Sequence, residues 1–229
     1  GTPPTEKYGL HSSYQRIAKP EDPGFVLDLH DALERTSLPA APRVLDLGVN
    51  TGDVLALLPA LHPALAAATF VGVDHCASAL ARARARFDAP RHRFIEADLA
   101  ELPRLGLPPF DLVLCIGTLQ SPGVDDRAVL RSVVQHALRP EGAVILGVPN
   151  CSYLDGEVLH GAKLKNFTQP ELSLLVKSVA FYRRYLQQHR KKVFVTGKHY
   201  VLVTAVPERA KTSGRARPEG VATRAEPTR

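Results

Sequence analysis

Five short apolar runs, alternating with helix-like segments in three of the four gaps between them, recur between residues 43 and 149. This alternation constrains the fold more than any other feature of the chain. The runs are residues 44–47, 70–73, 93–97, 111–115 and 143–148. Their near-continuous Val, Leu and Ile content is that of strands buried on both faces. The intervening segments 53–61, 77–87 and 125–138 read as helices, the last with Asp125 or Asp126 near its N-cap. A further helix is expected over 23–36, where Phe25, Val26, Leu29 and Leu33 fall at helical spacing after Pro23. Strand and helix in alternation predict an α/β fold, a doubly wound and mostly parallel sheet with helices on both faces.

The pattern changes after residue 150. A long helix is expected over 170–188, with Leu172, Leu175, Val176, Val179 and Tyr182 as its apolar stripe. Runs 193–196 and 200–204, joined through Gly197 and Lys198, predict a C-terminal antiparallel β-hairpin and bring the strand count to seven. At 229 residues the chain suits one domain with short extensions. Residues 1–22 read as an arm and a candidate lid, carrying Tyr8, His11, Ser12 and Tyr14; residues 23–206 read as the domain. Residues 151–168 are an insert expected to help build an acceptor site, and 207–229 form a basic, apolar-poor tail expected to be disordered.

Cys76, Cys115 and Cys151 are too widely and irregularly spaced for a disulfide scaffold or a paired-Cys zinc motif. No metal is therefore expected, and a reducing, cytoplasmic setting is. No apolar run approaches the roughly 20 residues that span a bilayer, and no signal-peptide pattern opens the chain. Charge is uneven: residues 1–150 carry 14 Lys/Arg against 17 Asp/Glu, and 151–229 carry 15 against 6. The basic half, with Arg183, Arg184, Arg190, Lys191, Lys192 and Lys198, suits a polyanion such as RNA, with Tyr182 and Tyr185 placed to stack on bases. The same residues also describe a solvated helix face and turn, and composition alone favours that reading.

The segment from Val44 to Asp53, VLDLGVNTGD, joins a buried strand to a helix through a Gly-containing turn. Such a turn lets a ligand approach the backbone, and the helix start offers free N–H groups. The next strand ends in Asp74, which suits the two hydroxyls of a ribose or, alternatively, a helix cap; the third ends in Asp98. Acids at three successive strand ends line one edge of the sheet, the ligand crevice of open α/β folds. A P-loop is excluded, because no G-x-x-x-x-G-K-[ST] occurs, and the turn is not the G-x-G-x-x-G of dinucleotide binders.

In order, LDLGVNTGD, VGVDHC, FIEADLAEL, FDLVLCIGTLQS and LRPEGAVILGVPN resemble the motif set of the class I, Rossmann-like S-adenosylmethionine-dependent methyltransferases. The resemblance runs from about Arg43 to Val206. It implies S-adenosyl-L-methionine as cofactor and S-adenosyl-L-homocysteine as product. It places Asp46, Gly48, Asn50 and Gly52 around the methionine part and Asp74, with His75 beside it, at the ribose. Asp98 is expected at the adenine amino group, Leu99 offering its N–H, and Cys115, Ile116 and Gly117 under the sulfonium. Asn50 stands where the family has its middle glycine.

Methyl transfer from a sulfonium is an in-line displacement, so the protein mainly aligns the acceptor and excludes water. Candidate acceptor-side groups are Gln120, Tyr153 and His160, with His75 and Asp155 less favoured; none is singled out as the catalytic residue. Cys115 suits either a nucleophile for pyrimidine carbon methylation or a buried small hydrophobe. The loop 117–122 lacks the Asn/Asp-Pro-Pro-aromatic motif of base amino-group methylation. The expectation is a methyltransferase acting on a small molecule. The alternatives are an RNA methyltransferase using the basic half, and a non-catalytic cofactor-binding module.

Overall fold

β1 (Arg43–Leu47) buries every side chain from Val44 to Leu47, which puts it at the centre of a sheet rather than at an edge. The computed structural model describes residues 19–150, 152–154, 157–160, 172–198 and 200–208, and gives the side chains of all these except 152–160 and 172–174. After a 3-10 turn at Lys19–Glu21 and helix α1 (Pro23–Glu34) come β1, α2 (Asp53–Leu61), β2 (Thr69–Asp74), α3 (Ala77–Arg86), β3 (His92–Glu96) and β4 (Phe110–Ile116). Then follow α4 (Asp126–Ser132), β5 (Leu138–Pro149), a small hairpin of β6 (Ser152–Leu154) and β7 (Glu157–His160), α5 (Leu172–Gln188), β8 (Lys191–Thr196) and β9 (Tyr200–Pro207). The main sheet has seven strands in the order β3-β2-β1-β4-β5-β9-β8. β1 to β5 run parallel, and β9 pairs antiparallel with both β5 and β8. The fold is the doubly wound sheet with a closing hairpin that the alternation implied.

Strand period two divides the core. Leu45, Leu47, Val113, Cys115, Val144 and Leu146 face α4, α5 and the turn Leu99–Arg104, where Val129, Leu130, Tyr182, Leu186 and Leu102 meet them. Val44, Leu112, Leu114, Ile116 and Ile145 face α1, α2 and α3, against Phe25, Leu29, Leu33, Leu55, Leu58 and Leu80. α1 is capped by Asp22, whose carboxylate accepts the Gly24 and Phe25 N–H groups, and Pro23 occupies its first turn.

One local expectation is corrected. The helix expected over 125–138 is α4, capped by Asp125, followed by one π turn over Val133–Ala137. Leu138 instead pairs with Phe110 in the ladder, and Pro140 could not have continued a helix. Within the insert expected over 151–168, β6 and β7 form an antiparallel ladder, pairing Ser152 with His160 and Tyr153 with Val158. The arm expected over 1–22 ends in the 3-10 turn at Lys19–Glu21; residues 1–18 and the tail from 209 lie outside the described residues.

A register shift between Phe110 and Leu112 sends Arg139 to Gly142 out of the β4–β5 ladder. Carbonyls freed this way need donors. Lys191 supplies them: its buried Nζ donates to Pro140 O at 2.6 Å and Gly142 O at 2.8 Å, and burial lowers its pKa. Asp111 fastens the same corner, accepting from the Arg43 N–H and from Arg139 Nη1, each at 2.8 Å. Replacing Lys191 with Met strands both carbonyls. The expected cost is about 1–3 kcal/mol, read by urea denaturation.

Candidate functional site

The site grows from the turn after β1. Three residues there hold positive φ: Gly48 (75°), Asn50 (50°) and Gly52 (81°). A short polar side chain makes the left-handed region accessible to Asn50, and its Oδ1 accepts the Thr51 N–H at 2.8 Å. The two glycines answer to packing as well as conformation. A Cβ on Gly48 would fall 2.1 Å from Thr118 Oγ1, and one on Gly52 would fall 2.4 Å from the Phe87 ring. β1 and the loop after β4 therefore touch directly, and Thr118 Oγ1 donates to Leu47 O at 3.2 Å.

Asp74, at the end of β2, holds this turn. Its Oδ2 accepts the Asn50 N–H and its Oδ1 the Cys76 N–H, both at 2.9 Å. Asp74 is not itself the cap residue of α3; that position is Cys76. Each carboxylate oxygen has two lone-pair sites, so accepting one N–H apiece leaves capacity toward the crevice. His75 beside it is half-buried. Asp98 is exposed and forms a capping box: its carboxylate accepts the Ala100 N–H at 2.8 Å, and Glu101 accepts the Asp98 N–H. Leu99 behind it is buried.

The charges within the edge are more unusual. Asp46 is 3% exposed, and burial, partly offset by Lys19 and reinforced by Asp74, raises its pKa to about 7. Among the described residues no Lys, Arg or His nitrogen lies within ion-pair distance of it. Lys19 is half-buried by area, and desolvation lowers its pKa against the attraction of Asp46 and Asp53. Cys115 is 1% exposed, and burial pushes its thiol far up. A thiolate nucleophile at neutral pH is not available there, so Cys115 is the buried small hydrophobe. Ile116 is buried and Gly117 half-buried at the end of β4.

Gln120, buried in the loop after β4, donates through Nε2 to the Tyr182 hydroxyl at 3.2 Å. That hydroxyl donates to Asp126 Oδ2 at 2.7 Å. Asp126 as a carboxylate can only accept, so Tyr182 spends its one proton there and must accept from Gln120. The amide orientation follows, and Gln120 Oε1 has no hydrogen-bond partner among the described residues. Tyr153 and His160 are placed in the backbone of β6 and β7; their side chains lie outside the described residues.

The structure also revises the basic surface. Tyr182 is wholly buried and cannot stack on a base, and Lys191 is pinned to β5. Arg183, Arg184, Arg190, Lys192 and Lys198 stay exposed, while Tyr185 packs against Phe181 and His189. Sequence reasoning missed Lys19, Thr118, Tyr182 and Asp126 as parts of this edge. Lys19 and Tyr182 reach it from distant segments, which nothing local marks; Thr118 lies in the loop already singled out, and Asp126 follows that loop.

Residues 44–142 match the family described as a methyltransferase domain. Trans-aconitate 2-methyltransferase of Paracidovorax citrulli is 34% identical over 122 residues, 53% of this chain and 44% of that protein. The match thus spans less than half the length of the curated relatives. Among solved structures, an S-adenosylmethionine-dependent methyltransferase from Aquifex aeolicus superposes with a TM-score of 0.57 at 15% identity, over 83% of this chain and 96% of that one. The 1,6-didemethyltoxoflavin-N1-methyltransferase of Burkholderia thailandensis, solved with its acceptor and S-adenosylhomocysteine, gives 0.55 at 21%, over 85% and 81%. Identities this low speak to the fold. Residues 44–142 thus resemble a methyltransferase domain, and the chain shares the fold of these solved methyltransferases. Among the described residues no group of His, Cys, Asp and Glu is arranged to hold a metal, and no helix is long and apolar enough to cross a membrane.

The raised pKa of Asp46 has a stability consequence. The folded state holds this proton more tightly than the unfolded chain, so Asp46 costs stability progressively from about pH 4 to pH 7. Asp46→Asn removes that titration. Its stability relative to wild type should improve by on the order of 2–4 kcal/mol between pH 4 and pH 8. Denaturant midpoints of both proteins across that range check it.

Proposed function

We propose that this chain binds S-adenosylmethionine at the C-terminal edge of its sheet and transfers the methyl group to a small-molecule acceptor. The carrying observation is the buried Asp46 carboxylate, which no cation among the described residues pairs, beside the left-handed turn that Asp74 fastens. A buried acid in this state suits a cationic ligand, and the cofactor is one. Asp46, Gly48, Asn50 and Gly52 would surround its methionine part. Asp74 would hold the ribose beside His75, with Asp98 and the Leu99 N–H at the adenine. Cys115, Ile116 and Gly117 would floor the reacting end.

The cofactor supplies a methyl group already activated by positive sulfur. What the chain adds is alignment and exclusion of water. Gln120 is the best supported of the acceptor-side candidates, because the Tyr182–Asp126 chain fixes its amide and leaves its carbonyl oxygen free to accept a proton-bearing group. A neutral amide is no base at neutral pH, so its part is to orient the acceptor. The curated relatives are named for trans-aconitate, which supports a small acceptor and makes that acid the first to try.

Calorimetry with S-adenosylmethionine and S-adenosylhomocysteine tests the reading. Asp74→Ala should weaken both by at least about tenfold with folding verified by thermal melting. Failure of the wild type to bind either one would refute the reading. S-adenosylhomocysteine formation with trans-aconitate then asks after the acceptor. Affinity for S-adenosylmethionine should fall as pH drops below about 7, where Asp46 gains its proton and loses its pull on a cation. A flat profile from pH 5.5 to 8 would remove Asp46 from the cofactor site.

A further inference from the structure

The α4–α5 face carries a row of rings and cations that the transfer site does not use. Phe181, Tyr185 and His189 recur every four residues along α5 and the turn after it, so they share one side of the helix. Their ring centres follow one another at 6.0 and 4.4 Å, each ring taken up by its neighbour. The Arg127 guanidinium of α4 lies over Phe181 at 4.5 Å and ends the row on that side. Arg127 and His189, both exposed, thus close its two ends. Lys177 lies four positions before Phe181 and Arg184 three after it, on the same flank of α5, and both are exposed. Arg131, one turn beyond Arg127 on α4, is exposed as well. The row leads away from the acid-lined edge, because β8, which follows α5, starts at the opposite edge.

A solvated helix face ordinarily mixes signs, since acids three or four positions from Lys or Arg support the helix. α5 does not: residues 172–207 hold seven Lys or Arg and no Asp or Glu. The two acids that open α4 are engaged locally, Asp125 with the Ala128 N–H and Asp126 with the Tyr182 hydroxyl. Among the described residues no ion pair reaches Arg127, Arg131, Lys177 or Arg184. A surface of one sign, interleaved with rings, suits a polyanion that also carries flat groups. Guanidinium groups match phosphate oxygens, and an exposed guanidinium plane or imidazole takes a stacked base. An acidic peptide would use the charges and leave the rings idle. We propose that the α4–α5 face binds single-stranded RNA, with phosphates along Lys177, Arg184, Arg127 and Arg131 and a base on His189. This docking surface is separate from the transfer site and does not depend on the methyltransferase reading.

The test uses the full chain and two labelled probes: an oligouridylate of about twelve nucleotides, and poly-glutamate of matched charge as a polyanion without bases. Fluorescence anisotropy at about 50 mM salt should show the oligouridylate binding at least about tenfold more tightly than poly-glutamate. Arg184→Ser should weaken the oligouridylate by about 3–10-fold and flatten its salt slope by about 0.7, the value of one phosphate contact on a single strand. His189→Ala should weaken it by about tenfold and leave poly-glutamate unchanged. Arg82→Ser removes one exposed charge from α3, on the other face of the sheet, and should change neither probe. Equal affinity for the two probes, or a preference for poly-glutamate, would show that charge alone acts and would overturn the assignment. A His189→Ala variant that holds the oligouridylate as tightly as wild type would do the same, as would equal losses from Arg82→Ser and Arg184→Ser. No binding of the oligouridylate by wild type at low salt would overturn it outright. Melting temperatures of the variants confirm that the comparison is between folded proteins.

Discussion

One carboxylate organises the edge on which everything functional depends. Asp74 takes the N–H of Asn50 on one oxygen and that of Cys76 on the other, joining the turn after β1 to the start of α3. Without that clamp the Asn50 backbone would have little to hold it in the left-handed region, which costs a non-glycine residue free energy. The direct contact of Gly48 with Thr118 then fixes the β1 turn against the loop after β4. Turn, clamp and contact give a rigid cradle made largely of backbone. Such a cradle can bind a ligand at little further ordering cost.

Into this cradle the fold places a carboxylate, Asp46, that forms no ion pair among the described residues. Asp46 lies on the α1–α3 side of β1, in register with Gly72 and Leu114, where strand alternation would otherwise put another aliphatic residue. Its raised pKa is the measure of that cost. Elsewhere the chain behaves differently: Lys191 spends its charge on two carbonyls of the β5 bulge, and Asp111 meets both Arg139 and a backbone donor. The contrast separates groups whose polar capacity is spent within the fold from groups that keep some of it unspent among the described residues. Gln120 belongs with the latter, its donor end spent on Tyr182 and its carbonyl oxygen unspent.

Much of this was legible from local pattern. Continuous apolar runs announced strands buried on both faces, and β1, β2, β4 and β5 lie near the expected places. The acids after them fall at one edge because parallel strands share their C-terminal ends. Errors came where tertiary pairing overrode propensity. Residues 133–138 carry a helical pattern, yet the ladder with Phe110 claims Leu138. Tyr182 was legible both as a core position and as a base-stacking one; its complete burial decides for the core.

Amino-acid order alone therefore determined the alternation, the doubly wound sheet, the acid-lined edge and the resemblance to methyltransferases, because each is written in residues close together in the chain. The tertiary structure decided which side chains meet across it. Gly48 meets Thr118, 70 positions on, Gln120 meets Tyr182, and Lys19 reaches Ile116 at a separation of 97 residues. No local period encodes such meetings. They follow from strand order and from the two faces of the sheet, which exist once the hydrophobic core has closed.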